Sequence, residues 1–135
     1  MSVDTALANL TSKLAALPGM KSAPTLIPED PGVFPFGIAY ERSGVLVARA
    51  AGEANDLATL FVEIHVARSL LGQAIQLAST FRDPFLLALI ADPTLGGSVS
   101  TMNDVRRTFG VLEWAGVQTI GYRFEIDVKI PMYVV

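Results

Sequence analysis

One histidine and three carboxylates are the residues of this chain whose types and spacing could do chemistry. His65 is the only histidine, and it lies two positions from Glu63 in a segment that alternates like a strand, so both side chains share one face. Glu125 and Asp127 would join them if their two strands are neighbours in a sheet. Such a set can perform general acid–base catalysis when one carboxylate is desolvated.

The same residues also fit a charged surface without catalysis, and we favour that interpretation. Arg123 and Lys129 share the face of Glu125 and Asp127, which favours cross-strand ion pairs. His65 has no second histidine near it and the chain has no cysteine, a poor composition for a metal site. We therefore expect an ordinary surface or interface histidine, and we assign no catalytic residue, no metal ligand and no cofactor.

A second candidate is the Gly96-Gly97 pair, because a glycine-rich loop can cradle a phosphate at the start of a helix. The next residues, 98–100, are Ser-Val-Ser, and the segment contains neither GK[ST] nor GxGxxG. The chain beyond the pair has the pattern of a loop and then a strand, not of a helix. We expect the pair to form a corner that requires positive φ.

Composition indicates a single domain with more apolar surface than a monomer needs. Apolar residues make up 51% of the 135 residues and 11 glycines come in addition, against a usual ~45–50% that includes glycine. Charged residues are 17%, against a usual ~25%. This favours burial of surface against partner subunits; the alternative is an alanine-rich but ordinary monomer.

Charge and hydropathy exclude two other classes of partner. The formal net charge is −3 and no basic stripe is present, which argues against a dedicated DNA or RNA reader. The longest unbroken apolar run, 85–91, is far shorter than the ~20 residues of a membrane span. The first ten residues lack a basic region, so we expect neither a secretory signal nor a membrane partner.

Periodicity predicts an α+β domain over residues 1–135, in the order α-β-β-β-α-α-β-β. We expect a mainly antiparallel sheet of about five strands with helices packed on one face. Residues 1–17 form an N-terminal helix, and 18–35, with five prolines, a long loop. The remaining predicted elements are strands 34–41, 45–50 and 57–68, helices 70–81 (capped by Ser69) and 84–91, and a closing pair of strands, 106–116 and 117–130.

Several segments together resemble the tail-terminator (tail-completion) proteins of long-tailed bacteriophages and related head–tail joining proteins. They are LATLFVEIHVARSLL, the helix pair after it, ADPTLGGSVSTM and FGVLEWAGVQTIGYRFEIDVKI. The resemblance covers about residues 34–130. It implies a small α+β subunit that assembles into a ring, commonly a hexamer, and lacks catalytic activity.

The resemblance also implies partners and a location. The ring would cap the tail tube, end its polymerisation and meet the head-side connector or neck protein, with double-stranded DNA only as passing cargo. We expect the protein in the tail or neck of the virion, after assembly in the host cytoplasm. The alternatives are another neck or head-closure subunit of the same particle or, less favoured, a small α+β enzyme or ligand-binding domain using His65 and the sheet-face carboxylates.

Two sets of residues are candidates for the contacts that such a ring requires. Contacts to the tube or to neighbouring subunits are predicted at Phe34, Phe36, Thr94, Leu95, Gly96 and Gly97. The predicted channel-facing residues are the alternating charges of the last strand, Arg123, Glu125, Asp127 and Lys129.

Overall fold

The computed structural model describes residues 1–26, 28 and 32–134. It confirms the α+β class and the antiparallel sheet. The elements are α1 (Val3–Ala15), β1 (Phe36–Ala50), β2 (Glu53–Ala67), α2 (Leu71–Ala91), β3 (Thr101–Trp114) and β4 (Val117–Tyr133). The four strands lie in the order β1-β2-β4-β3, and every neighbouring pair is antiparallel.

The predicted hairpin between 34–41 and 45–50 is wrong, because these segments form one strand, β1. The register shifts between Glu41 and Ser43, so Arg42 is accommodated as a bulge and pairing with β2 continues. Gly44 lies within the strand, where it pairs with Ala58 of β2, and not in a turn. The chain reverses instead at Gly52, which has a φ of +75°. The sheet therefore has four strands, one fewer than expected.

The two predicted helices 70–81 and 84–91 are also wrong in number, because they form one helix, α2, with Pro84 inside it. Ser69 is not the N-cap, which falls on Leu70 without a side-chain hydrogen bond. A proline inside a helix costs ~3 kcal/mol. The buried stripe of Phe81, Phe85 and Leu89 continues across the proline, and we infer that its packing offsets this cost.

Both helices pack on one face of the sheet, as predicted. α1 lies over β1 and β2, and α2 lies over β2 and β4. The alternation predicted for the last strand is confirmed, since one set of its side chains is buried in this core. The core includes Leu10, Leu14, Leu60, Val62, Ile64, Phe81, Phe85, Tyr122, Phe124, Ile126, Val128 and Ile130. By length and composition alone α2 could cross a membrane, a test that the core helix of a soluble protein also passes.

The other face of the sheet is partly covered by the proline-rich loop. Ser22 forms a single parallel bridge with Phe36, and the Trp114 Nε1 atom donates to the Pro28 carbonyl at 3.1 Å. The predicted loop 18–35 therefore pairs with the edge of β1 at Ser22 and reaches over this face to Trp114 at Pro28. Ile27 and residues 29–31 of that loop lie outside the described residues.

Candidate functional site

A buried polar cluster lies on the sheet face opposite the helices, around Glu63 and His65. The Glu63 carboxylate accepts hydrogen bonds from the Tyr40 hydroxyl at 2.5 Å, the Arg123 Nε at 2.9 Å and the His65 Nε2 at 2.8 Å. The His65 Nδ1 lies 2.6 Å from the Thr119 hydroxyl. Glu63 is 1% exposed and His65 is fully buried. Three strands thus contribute to one closed hydrogen-bond network.

Strand register brings these residues together. Glu63 lies opposite Arg123 on β4, and His65 lies opposite Gly121. A Cβ at Gly121 would stand 1.7 Å from the Ile64 carbonyl oxygen, so only glycine allows β2 and β4 to approach this closely beside His65. The alternation of β2 predicted that Glu63 and His65 share one face. The hydrogen bonds of Tyr40 and Thr119 to this pair could not be predicted, because they depend on the registers of β1 and β4 with β2.

Burial and hydrogen bonds determine the protonation states of Glu63 and Tyr40 in this cluster. Burial raises the pKa of Glu63, but the hydrogen bonds from His65, Tyr40 and Arg123 outweigh it, and the pKa is below its ordinary value. Burial and the adjacent Glu63 carboxylate raise the pKa of Tyr40, which stays a phenol and donates. An ionised Glu63 can only accept, so the His65 Nε2 carries a proton. The Thr119 hydroxyl lies against the other ring nitrogen, Nδ1.

The prediction that His65 is an ordinary surface or interface histidine is wrong, because aromatic rings cover it. Phe36 and Trp114 lie with ring centroids 5.4 Å and 6.1 Å from the imidazole. Every polar side-chain atom of Glu63 and His65 has a partner within the cluster. This arrangement is suited to joining β1, β2 and β4. Within residues 1–26, 28 and 32–134, no group of three acids or histidines could hold a metal ion.

The predicted channel-facing residues do share one partly exposed face of β4. Arg123 pairs with Glu63, while Glu125 and Asp127 pair with Arg106 of β3 at 3.3 Å and 2.9 Å. Of the two cations expected to form cross-strand ion pairs, Arg123 does so, whereas Lys129 is in no ion pair among the described residues. Arg106 was missed, because its position opposite Glu125 depends on the β3–β4 register. Burial raises the pKa of Asp127, but Arg106 and the Thr59 hydroxyl outweigh it and the pKa is lowered.

Two of the predicted contact residues are not on the surface. Phe36 is fully buried between His65 and Trp114, and Leu95 is fully buried in the helix-face core. Both apolar side chains instead stabilise the folded chain, so their assignment as tube or neighbour contacts is corrected. Phe34 is half-buried, whereas Thr94, Gly96 and Gly97 are exposed.

The Gly96-Gly97 corner is structural, as predicted. The two glycines have φ values of +68° and +80°. The Asp92 carboxylate accepts from the Gly96 N–H at 2.9 Å and from the Lys13 ammonium at 2.7 Å, so the corner is attached to α1. The Lys13 hydrogen bond is the main reason that the pKa of Asp92 lies below its ordinary value.

Another exposed apolar surface lies away from the six residues named above as predicted contacts. We call residues 44–50, 53–57 and 130–134 the sheet arm. Its pairing places Val45 on one face and Leu46 on the other, and both are more than 60% exposed. The unbroken apolar run VLVA within β1 is the signal that could have identified it. The exposed large apolar residues of the arm are Val45, Leu46, Val47, Leu57, Met132, Tyr133 and Val134.

Further exposed apolar side chains lie on β3 and on the outer side of α2, and we call them together the β3–α2 surface. α2 lies over β2 and β4, so β3 keeps Phe109 45% exposed and Val111 55% exposed on the helix face of the sheet. Leu87 and Ile90 of α2 are exposed as well. This β3–α2 surface and the sheet arm are formed by different parts of the chain.

Comparison with known proteins assigns no family to this chain. No protein-family model matches it, and a search of curated proteins finds no match either. The resemblance to tail terminators therefore remains a hypothesis, to be weighed together with the surfaces of the folded chain.

Proposed function

We propose that this chain is a structural virion subunit that forms a closed ring, as a tail terminator of a long-tailed phage. The ring, of about six copies by resemblance, caps the tail tube and ends its polymerisation. It joins the tube to the head-side connector, and DNA passes through its central channel. The subunit's partners are copies of itself, the tube protein and the neck protein, without a membrane, in a virion assembled in the host cytoplasm.

The observation that carries this proposal is the presence of two separate apolar surfaces on one small folded chain. The sheet arm and the β3–α2 surface expose more than ten large apolar side chains between them. Contiguous exposed apolar patches mark interaction sites. A ring requires two different surfaces on each subunit, one for each neighbour, whereas a two-fold dimer requires only one.

The charged face of the sheet supports the same proposal. A channel that releases DNA must not bind phosphates strongly, because affinity for DNA grows with the number of phosphates that Lys and Arg neutralise. Arg106 and Arg123 are both paired with carboxylates of this face or of the buried cluster. A lining with internally paired charges, in a chain of net charge −3, suits passage of a polyanion.

The enzyme alternative has less support from the geometry. His65, the residue on which it depends, lies fully buried and fully hydrogen-bonded behind Phe36 and Trp114. A substrate would have to displace those rings to reach the imidazole. Another neck or head-closure subunit of the same particle would use the same kind of surfaces, so a test with tubes must separate it from a terminator.

The test begins with the purified chain at micromolar concentration, by light scattering after size exclusion and by negative-stain microscopy. We expect a defined oligomer and rings with a central hole. Added to polymerising tube protein, the rings should stop growth and sit at tube ends; a neck subunit would form rings that leave tube length unchanged. A protein that stays monomeric alone and on tubes would overturn the proposal.

A further inference from the structure

The outer edge of β1 is left open by a proline. The Gly37 N–H donates to the Ser22 carbonyl, and the Ser22 N–H donates to the Pro35 carbonyl, so the loop begins to pair as an additional strand. The next pairing position is Pro24, which has no N–H to donate. Within the described part of the chain, no backbone group pairs with the outer edge over residues 39–41.

A groove of about 610 Å³ lies along this open edge. Its floor is Ala39, Tyr40 and Glu41 of β1, one wall is α1, and the other is the loop at Thr25 and Leu26. The α1 wall is apolar over Leu7 and Ala8 and carries Asp4 at its end. Two carboxylates line the groove and no described lysine or arginine does, so its charge favours a segment that carries a basic side chain.

The other edge of the same sheet has the complementary properties. β3 is exposed along most of its length, and Arg107, Phe109 and Val111 lie on its helix face. Arg107 is exposed, and Phe109 extends beyond the cover of α2. An edge strand with unpaired backbone groups and apolar side chains is a template for pairing with another chain.

Strand direction permits the two edges to join. β1, β2, β4 and β3 alternate in direction across the sheet, so β3 runs antiparallel to β1. Rotation about an axis parallel to the strands, the operation that builds a ring, preserves their direction. The β3 of one copy therefore arrives antiparallel to the β1 of the next, with the helix faces of both sheets on the same side. This is the arrangement of a continuous antiparallel sheet.

We propose that β3 of one copy adds to the outer edge of β1 in the next copy. Phe109 then occupies the groove between α1 and β1, and Arg107 faces the carboxylates of Asp4 and Glu41. This inference rests on the proposed function. It pairs β3 with the outer edge of β1 at residues 39–41, next to the sheet arm rather than on it.

The junction also gives the ring a channel. At ~4.8 Å per strand, six copies of a four-stranded sheet have a circumference of about 115 Å and a backbone diameter of about 37 Å. The helices cover one face of every sheet and need the greater circumference, so they lie outside. The face of Arg123, Glu125, Asp127 and Lys129 then points inward. The proline-rich loop crosses part of this face, so it also lies inside the ring and narrows the opening.

Disulfide cross-linking tests the junction without competing native thiols, because the chain has no cysteine. In the variant Glu41→Cys/Arg107→Cys the two positions are both exposed. Within one chain β2 and β4 separate them, at about 14 Å by strand spacing. A disulfide requires Cα atoms within ~7 Å. Any disulfide between the two positions therefore joins two copies.

We expect oxidation of this variant to give a ladder of covalent oligomers that ends at the copy number of the ring. The matched control is Gln76→Cys/Arg107→Cys, since Gln76 lies exposed on α2 away from its buried stripe. The control should give little cross-linking beyond dimers. Rings without a ladder above the control would overturn the junction and leave the proposed function intact. A wild-type protein that forms no rings, either alone or on tubes, would overturn both.

A charge test keeps the inference falsifiable without cysteines. Arg107→Glu should raise the concentration for half-assembly by about tenfold, because it places a third carboxylate in the acidic groove. The change Asp4→Lys/Glu41→Lys in the same chain should restore assembly. Arg68→Glu, at another exposed arginine, is the matched control and should leave assembly unchanged. Equal assembly of Arg107→Glu and wild type would also overturn the junction.

Discussion

Glu63 is the acceptor on which the buried polar cluster depends, so its replacement tests the structural role assigned to that cluster. Glu63→Gln conserves shape but turns an NH₂ group toward donors. Hydrogen bonds to a charged group contribute ~1.5–3 kcal/mol each, and Glu63 accepts three. The Arg123 side chain is 35% exposed, so water offsets part of its loss. The amide oxygen keeps at least one bond, and we expect destabilisation of about 3 kcal/mol.

Urea unfolding at fixed protein concentration measures this effect. With an m-value of about 2 kcal/mol/M, the midpoint should fall by roughly 1.5 M. Glu125→Gln is the matched control, because it removes a carboxylate from the same sheet face that pairs only with exposed Arg106. That change should cost less than ~1 kcal/mol.

The pH dependence supplies an independent check with a defined sign. The pKa of Glu63 is lowered in the folded protein from an ordinary value of 4.5. Its stabilising contribution is therefore complete above pH 4.5 and is lost as the pH falls through the lower, folded value. The stability difference between wild type and Glu63→Gln should shrink over that acidic range. If the variant is as stable as wild type at neutral pH, or the difference is independent of pH, our account of the cluster is wrong.

Three further predictions address packing and assembly. Phe36→Asp should lower the free energy of unfolding by at least ~3 kcal/mol in thermal unfolding, because Phe36 is fully buried. Phe34→Asp, at a half-buried position, should cost less than ~1 kcal/mol, and equal effects of the two changes would contradict the burial of Phe36. Gly121→Ala should strongly destabilise the fold in urea titration, because its Cβ would overlap the Ile64 carbonyl. Gly110→Ala is the control, since its Cβ meets no neighbour within 4 Å and the change costs only backbone strain of ~1–3 kcal/mol. A small destabilisation by Gly121→Ala would contradict the close approach of β2 and β4. Leu46→Asp should leave the circular dichroism spectrum and the melting temperature unchanged but abolish rings in negative stain, because Leu46 is an exposed apolar residue of the sheet arm. Thr80→Asp, at an exposed position of α2, is the control and should still assemble, and rings from Leu46→Asp would show that the sheet arm is not in the interface.

Local patterns were sufficient where a single element determined the outcome. The alternation along β4 predicted which side chains enter the core, because side chains of a strand alternate whatever its neighbours are. The Gly96-Gly97 corner was predicted from backbone freedom alone. The same alternation placed Glu63 with His65, and the charges of β4 on one face.

Patterns failed where two elements had to be compared. Residues 42–44 have turn-like composition, but pairing with β2 favours a bulge at Arg42 over a reversal. Asp83-Pro84 has the composition of a helix start, but the stripe from Phe81 to Leu89 continues across it. In both places long-range contacts outweigh a local preference of a few kcal/mol at most.

The sequence by itself determined the α+β class, the helix-face core, the corner before β3 and the charged face of β4, because each depends on residue period or on one backbone position. Only the tertiary structure decided that His65 and Phe36 are interior, that Arg106 neutralises two acids, and that β1 and β3 are the free edges. These features depend on which strands are neighbours and in which register. That choice is made by contacts between residues far apart in the chain, which no local period encodes.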